Sequence, residues 1–173
     1  MRILYIATSF PEPNKGSTIY TDLAEALYEA GHEITVVVSE QSKNKSNTQI
    51  KKERGFDVLR ILTGNYYDVG LIEKGINKYL KNKKFDVILF ESPPVTNVDL
   101  VSWIKKKFNC PAYLMLKDIF PQNAIDLEII KFNSILFRYF KRKEEKLYKT
   151  ADVIGCMSQA NIDYILKHNP WLD

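Results

Sequence analysis

No apolar run in this 173-residue chain approaches the ~20 residues that a bilayer-spanning helix needs, so the sequence offers no transmembrane segment. The opening "MRILYIATSF" carries one arginine and a short apolar run without a small-residue cleavage site, which reads as a buried first strand and not as a signal peptide. Cysteine is scarce. Cys110 and Cys156 stand far apart beside apolar runs, which suits buried free thiols and a cytoplasmic location, and no Cys–His spacing marks zinc. Glycine-rich phosphate signatures are missing as well: no G-x-G-x-x-G follows the first strand and no G-x-x-x-x-G-K-[ST] occurs. That argues against a dinucleotide-dependent dehydrogenase and a P-loop NTPase. The first strand does not end in an acidic pair, and there is no D-x-D, so no metal cofactor is expected.

What is present is an ordinary globular composition, 45% hydrophobic and 27% charged, in a chain long enough for one domain with a sizeable core. The net charge is +4, and the basic residues gather in "NKYLKNKKF", "WIKKKF" and "FRYFKRKEEKLYK", each beside aromatic or aliphatic residues. Such clusters read either as solvated helix faces or as a surface for anionic lipid headgroups or a phosphorylated partner. No helix-turn-helix or RNA-binding signature accompanies them, so a nucleic-acid partner is not expected.

The chain alternates strand and helix without internal repeats. Residues 2–7 form an apolar strand, and from Ser17 the positions Ile19, Leu23, Leu27 and Ala30 recur at helical spacing, with Gly31 closing the helix. "HEITVVVS" (32–39), "FDVLRIL" (56–62), "KFDVILFES" (84–92), "CPAYLMLKD" (110–118) and "ADVIGCMS" (151–158) are five more strand segments. The polar, aperiodic stretch between the second and third strands predicts a flexible loop, and "TGNYYD" a tyrosine-bearing one. Helices are expected over 69–81, over "PVTNVDLVSWIKKKF", briefly after Phe120, over about 132–149 and over "QANIDYILKH". About six buried strands alternating with helices predict an α/β domain, a Rossmann-like doubly wound parallel sheet over 1–173.

Ligands in such sheets bind at the carboxyl ends of the strands. "NKGST" places Gly16, Ser17 and Thr18 at a helix start, where unpaired amides and the helix dipole receive a phosphate or sugar hydroxyl; Ser17 or Thr18 acting only as a cap is the competing role. In "FESPP" two prolines fix the strand exit, with Glu91 and Ser92 directed to the cleft; Glu91 either binds a hydroxyl or pairs with a lysine. In "LKDIFPQN", Asp118 emerges at the cleft lip between Lys117 and the stretch ending in Gln122. Its carboxylate suits a sugar hydroxyl or proton transfer, or else caps the helix near Pro121. Ser158 caps the last helix in competition with any ligand role, and Asn161 shares a helix face with Tyr164.

Taken in order, "ILYIATSFPEPNKGSTIYTDLAEALYEAGHEITVVV", "FDVILFESPP", "LKDIFPQNAIDL" and "ADVIGCMSQANIDYI" resemble the N-terminal, acceptor-side half of family 4 glycosyltransferases, retaining enzymes of the two-domain GT-B fold. The likeness runs through essentially all of the chain and points to the branch that builds capsule, O-antigen or related surface polysaccharides. It implies a nucleotide-sugar donor, a lipid-linked saccharide acceptor, and a C-terminal donor-binding domain absent from these residues, without which the chain would be inert. It implies that Gly16 and Ser17 close over the donor diphosphate and sugar, and that Asp118 sits near the transferred sugar, where relatives place a histidine or acidic residue. Glu25 and Glu33 show an E-x7-E spacing, but they fall in the wrong half, and His32 lies in a structural turn. A lipid-linked acceptor also implies peripheral contact with the inner face of the cytoplasmic membrane, for which Phe132, Phe137, Tyr139 and Phe140 with Arg138, Lys141 and Arg142 are the candidate surface. The alternatives are a non-catalytic Rossmann-like binding module, or half of a UDP-sugar epimerase of the same architecture.

Overall fold

The computed structural model describes residues 1–40, 48–63 and 68–172. Seven strands form one sheet: β1 (Arg2–Ala7), β2 (Glu33–Glu40), β3 (Gln49–Glu53), β4 (Phe56–Leu62), β5 (Val87–Ser92), β6 (Ala112–Leu116) and β7 (Val153–Cys156). Their order is β3-β4-β2-β1-β5-β6-β7. All neighbours pair in parallel except β3, which runs antiparallel to β4 at the edge. The helices are α1 (Ile19–Glu29), α2 (Val69–Tyr79), α3 (Val98–Phe108), α4 (Gln122–Asp126), α5 (Ile135–Thr150) and α6 (Gln159–His168).

Strand alternation sorts the apolar residues into two cores. Leu4, Ile6, Leu59, Ile61, Ile88 and Phe90 face α2, α3 and α5, where Ile76, Val101 and Leu147 complete the larger cluster. Ile3, Tyr5, Val36 and Val58 face α1, which contributes Ala24 and, half-buried, Tyr20 and Leu27. Gly75 lets α2 lie close on β4, since a Cβ there would stand 2.8 Å from Ile61 Cδ1.

Two expectations change. The polar stretch after β2 is not all loop: Gln49–Glu53 is a seventh strand, because β4 offers a free edge that satisfies backbone groups whatever the side chains are. Residues 41–47 of that stretch and 64–67 of the tyrosine-bearing loop lie outside the described residues. The carboxyl ends of the six parallel strands lie along one edge, and the chain reverses direction across the sheet between β1 and β5. This is the switch point at which α/β sheets open a crevice.

Candidate site at the carboxyl edge of the sheet

Three strand ends meet at the Glu91 carboxylate. Thr8, just beyond β1, donates its backbone N–H to Glu91 Oε1 at 2.8 Å and its hydroxyl to the same oxygen. Lys117, just beyond β6, donates Nζ to Glu91 Oε2 at 2.7 Å. The carboxylate is buried, and Lys117 Nζ also stands 3.4 Å from the centre of the Tyr20 ring on α1. Burial, with the Glu91 charge nearby, raises the pKa of the Tyr5 hydroxyl beyond its ordinary value, and that hydroxyl has no hydrogen-bond partner.

This geometry corrects the expected disposition of "FESPP". Successive strand residues point to opposite faces, so Glu91 and Ser92 cannot both line one cleft. Both are buried: Glu91 has each oxygen committed, and Ser92 Oγ has no hydrogen-bond partner. Of the two roles open to Glu91, the structure shows the lysine pair.

Asp118 behaves differently. It is exposed, one residue beyond Lys117, and it accepts no hydrogen bond among the described residues. The N-cap position of α4 is Pro121, with no side-chain cap, so Asp118 is not its cap. Gln122 is engaged within α4, donating Nε2 to Asp126 Oδ1 at 2.7 Å.

The loop after β1 is held from β4. Arg60, buried in that strand, donates Nη1 to the Phe10 carbonyl at 2.8 Å and pairs with Glu53, at 2.6 Å, and with Glu40. Burial opposes its charge, but the two carboxylates outweigh it and the guanidinium pKa lies above its ordinary value. Arg54, in the β3–β4 turn, donates Nη2 to the Gly16 carbonyl at 2.6 Å and Nη1 to Glu25 at 2.7 Å. Neither arginine is among the expected site residues. The signal for Arg60 was present, since a charge inside "FDVLRIL" must find a partner if the strand is buried.

Gly16 adopts φ 96°, ψ −165°, a region open essentially to glycine alone, and a Cβ placed there meets nothing within 4 Å. The backbone is therefore bare toward solvent, as close approach by a ligand requires. Ser17 is exposed and unbonded among the described residues. Thr18 is the N-cap of α1 in a reciprocal capping box with Thr21, its own amide donating to Thr21 Oγ1 at 2.8 Å. Its hydroxyl and amide are thereby committed, while the next amides, Ile19 and Tyr20, have no acceptor among the described residues. Ser158 caps α6, accepting the Asn161 amide at 3.2 Å, which leaves the Asn161 side chain unbonded. The edge thus brings Glu91, Lys117, Thr8 and Tyr20 into contact, with Asp118 free beside them.

The expected aromatic–basic surface is also redistributed. Phe140 packs edge-on against Phe120 with centroids 4.9 Å apart, and Lys141 pairs with Glu144 at 2.5 Å. Phe137 is half-buried, its ring 5.1 Å from that of Phe132. No helix among the described residues is long and apolar enough to cross a membrane.

A family model described as Glycosyltransferase Family 4 matches residues 16–171. Comparison with curated protein sequences returns no match. Among solved structures, sucrose-phosphate synthase from Thermosynechococcus elongatus superposes with a TM-score of 0.68 at 11% identity, over 97% of this chain and 45% of that one. A structure from E. coli described as trehalose-6-phosphate bound with UDP-2-fluoro glucose superposes at 0.61 and 13% identity, over 96% of this chain and 42% of that one. The chain therefore spans under half the length of either neighbour, and at such identity the likeness is one of fold.

Proposed function

The chain belongs to glycosyltransferase family 4, and from that premise we propose that it is the acceptor-side domain of a retaining glycosyltransferase. In this reading it moves a sugar from a nucleotide-sugar donor to a lipid-linked saccharide at the cytoplasmic face of a membrane, in the synthesis of capsule, O-antigen or exopolysaccharide. A second, donor-binding domain completes the enzyme, and this half alone is inactive. The match across residues 16–171 carries the reading, and the shared fold with under half of two longer structures supports it.

The roles follow from what each group has free. The bare backbone at Gly16 and Ser17, with the open amides of Ile19 and Tyr20 at the positive end of α1, receives the donor diphosphate and the reacting sugar. Asp118 orients an acceptor hydroxyl and stabilises the positive charge developing at the anomeric carbon. The leaving phosphate takes the acceptor proton, so Asp118 need not be a general base, and no metal is required. Lys117, held by Glu91 and Tyr20, contributes a fixed positive charge at the edge. Ser158 and Asn161 reach the substrate, if at all, through the unbonded Asn161 amide.

The test is turnover by the product of the complete reading frame with a panel of nucleotide sugars and lipid-linked acceptors, compared with Gly16→Val and Asp118→Ala. Loss of transfer in both variants with folding intact supports the site. Transfer untouched by either removes the site, and no turnover with any donor favours a binding module.

A further inference from the structure

One end of α5 is apolar where it faces solvent. Leu127, Ile129, Phe132, Ile135, Leu136 and Tyr139 are between 48% and 89% exposed, and they are consecutive along the α4–α5 connection and the first turns of α5. The same helix is a core helix at its other end, where Glu144, Leu147 and Tyr148 are buried. The crest is held in place: the Ile129 and Ile130 amides donate to the Ala124 carbonyl at 2.8 and 3.1 Å, Ile130 is buried, and Ser134 caps α5 by accepting the Phe137 amide at 3.1 Å.

Charge accompanies the crest. Residues 127–143 hold five Lys or Arg against one Glu, Glu128. Lys141 is taken by Glu144, and Lys143 by Asp99 at 2.5 Å. Lys131, Arg138 and Arg142 are exposed and have no acidic partner among the described residues, and Arg138 and Arg142 line one open groove with Ile135 and Tyr139. Exposed large apolar side chains bordered by unpaired cations match a surface that is apolar inside and anionic at its rim.

We propose that this crest is a membrane-docking wedge, its apolar side chains entering the interface of an anionic leaflet while Lys131, Arg138 and Arg142 engage the headgroups. It deepens the lipid-linked-acceptor reading by naming the surface that holds the domain to its acceptor's membrane, and rests on that reading for the leaflet involved. The placement suits that role. Phe140 joins the crest to Phe120 through ring contacts of 5.2 Å with Tyr139 and 4.9 Å with Phe120, and Phe120 lies two residues past Asp118. A domain seated on the crest holds the carboxyl edge beside the headgroups.

The experiment is sedimentation of the full-length gene product with vesicles of phosphatidylcholine alone and with about a third phosphatidylglycerol, at low and high salt. The natural protein should bind the anionic vesicles, and most of that binding should be lost at about 0.5 M salt. Ile135→Ser with Leu136→Ser should weaken it by about a hundredfold, since each is a large side chain withdrawn from an apolar phase. Arg138→Glu with Arg142→Glu should weaken it at least about tenfold on anionic vesicles. All four positions are solvent-facing, so circular dichroism and the melting temperature should match the natural protein. No binding by the natural protein, or equal binding by both double variants, overturns the proposal. A dimer that dissociates in the Ile135→Ser, Leu136→Ser variant also overturns it and makes the crest an interface between copies. Transfer to a detergent-dispersed acceptor is read in parallel. Binding without any transfer leaves the wedge standing and removes the acceptor reading, whereas transfer without binding does the reverse.

Discussion

Lys117 Nζ stands 2.7 Å from Glu91 Oε2 across the ends of two neighbouring strands, with the carboxylate 1% exposed and the lysine side chain 19% exposed. A carboxylate so buried is tolerated because Lys117 and Thr8 compensate it, and removing one partner leaves it uncompensated. Lys117→Met should cost about 3 kcal/mol, the lower end for a broken buried pair because the lysine keeps some contact with water. Adding Glu91→Gln should recover part of that loss. Urea unfolding of the single and double variants measures both, and a Lys117→Met cost indistinguishable from zero would remove the pair from the structural account.

Gly16 has open space around it and a backbone conformation that only glycine adopts readily. Gly16→Ala therefore tests backbone strain without a clash. The expected cost is about 1–3 kcal/mol, or an equivalent loss of order in the loop. Amide exchange should quicken at residues 12–17, while the rest of the sheet keeps its protection. An unchanged exchange pattern would mean that the loop conformation is dispensable.

Glu144 is buried, and burial raises its pKa above the ordinary 4.5 despite Lys141 at 2.5 Å and the Tyr148 hydroxyl at 2.9 Å. The folded protein thus keeps this proton at pH values where the unfolded chain has released it. The protonated form's contribution to stability is complete below 4.5 and is lost as pH rises through the higher folded value. Glu144→Gln cannot ionise and keeps an oxygen for Tyr148. Its stability relative to the natural protein should therefore climb with pH across that window and then level off, as followed by urea midpoints. A difference that is flat with pH, or falls, contradicts the burial effect.

Gly75 sets how closely α2 approaches β4, because an added Cβ would stand 2.8 Å from Ile61 Cδ1 and 3.0 Å from its Cγ1. Alanine is the better helix former by about 1 kcal/mol, so propensity and packing oppose each other. Overpacking of a buried site costs about 1–3 kcal/mol, so Gly75→Ala should destabilise on balance. Ile61→Val removes the nearer methyl and should be less harmful in the Gly75→Ala background than alone. Additive thermal shifts would mean that the two residues do not compete for space.

Much of the fold is legible because its signals are local. Apolar runs at "RILYIA", "ITVVV" and "VLRIL" mark strands that cannot stay in water, and helical spacing in residues 19–29 shows the face that α1 buries. β3 escaped because "QIKKE" has almost nothing to bury; it is a strand only because β4 presents unpaired backbone groups beside it. The aromatic–basic helix was legible as amphipathic, yet spacing alone did not show that Phe140 turns inward onto Phe120 while Ile135 and Leu136 face solvent.

The sequence by itself determined the alternation of strand and helix, hence a parallel sheet, and with it the set of strand ends where Gly16, Glu91 and Asp118 stand. These depend on the period with which each segment meets the core. Tertiary structure alone decided that Glu91 is spent on Thr8 and Lys117, residues 83 and 26 positions away, while Asp118 is left free. Such pairings depend on which strands become neighbours and which way each side chain alternates. No local pattern carries that information, because it exists only once the sheet has assembled.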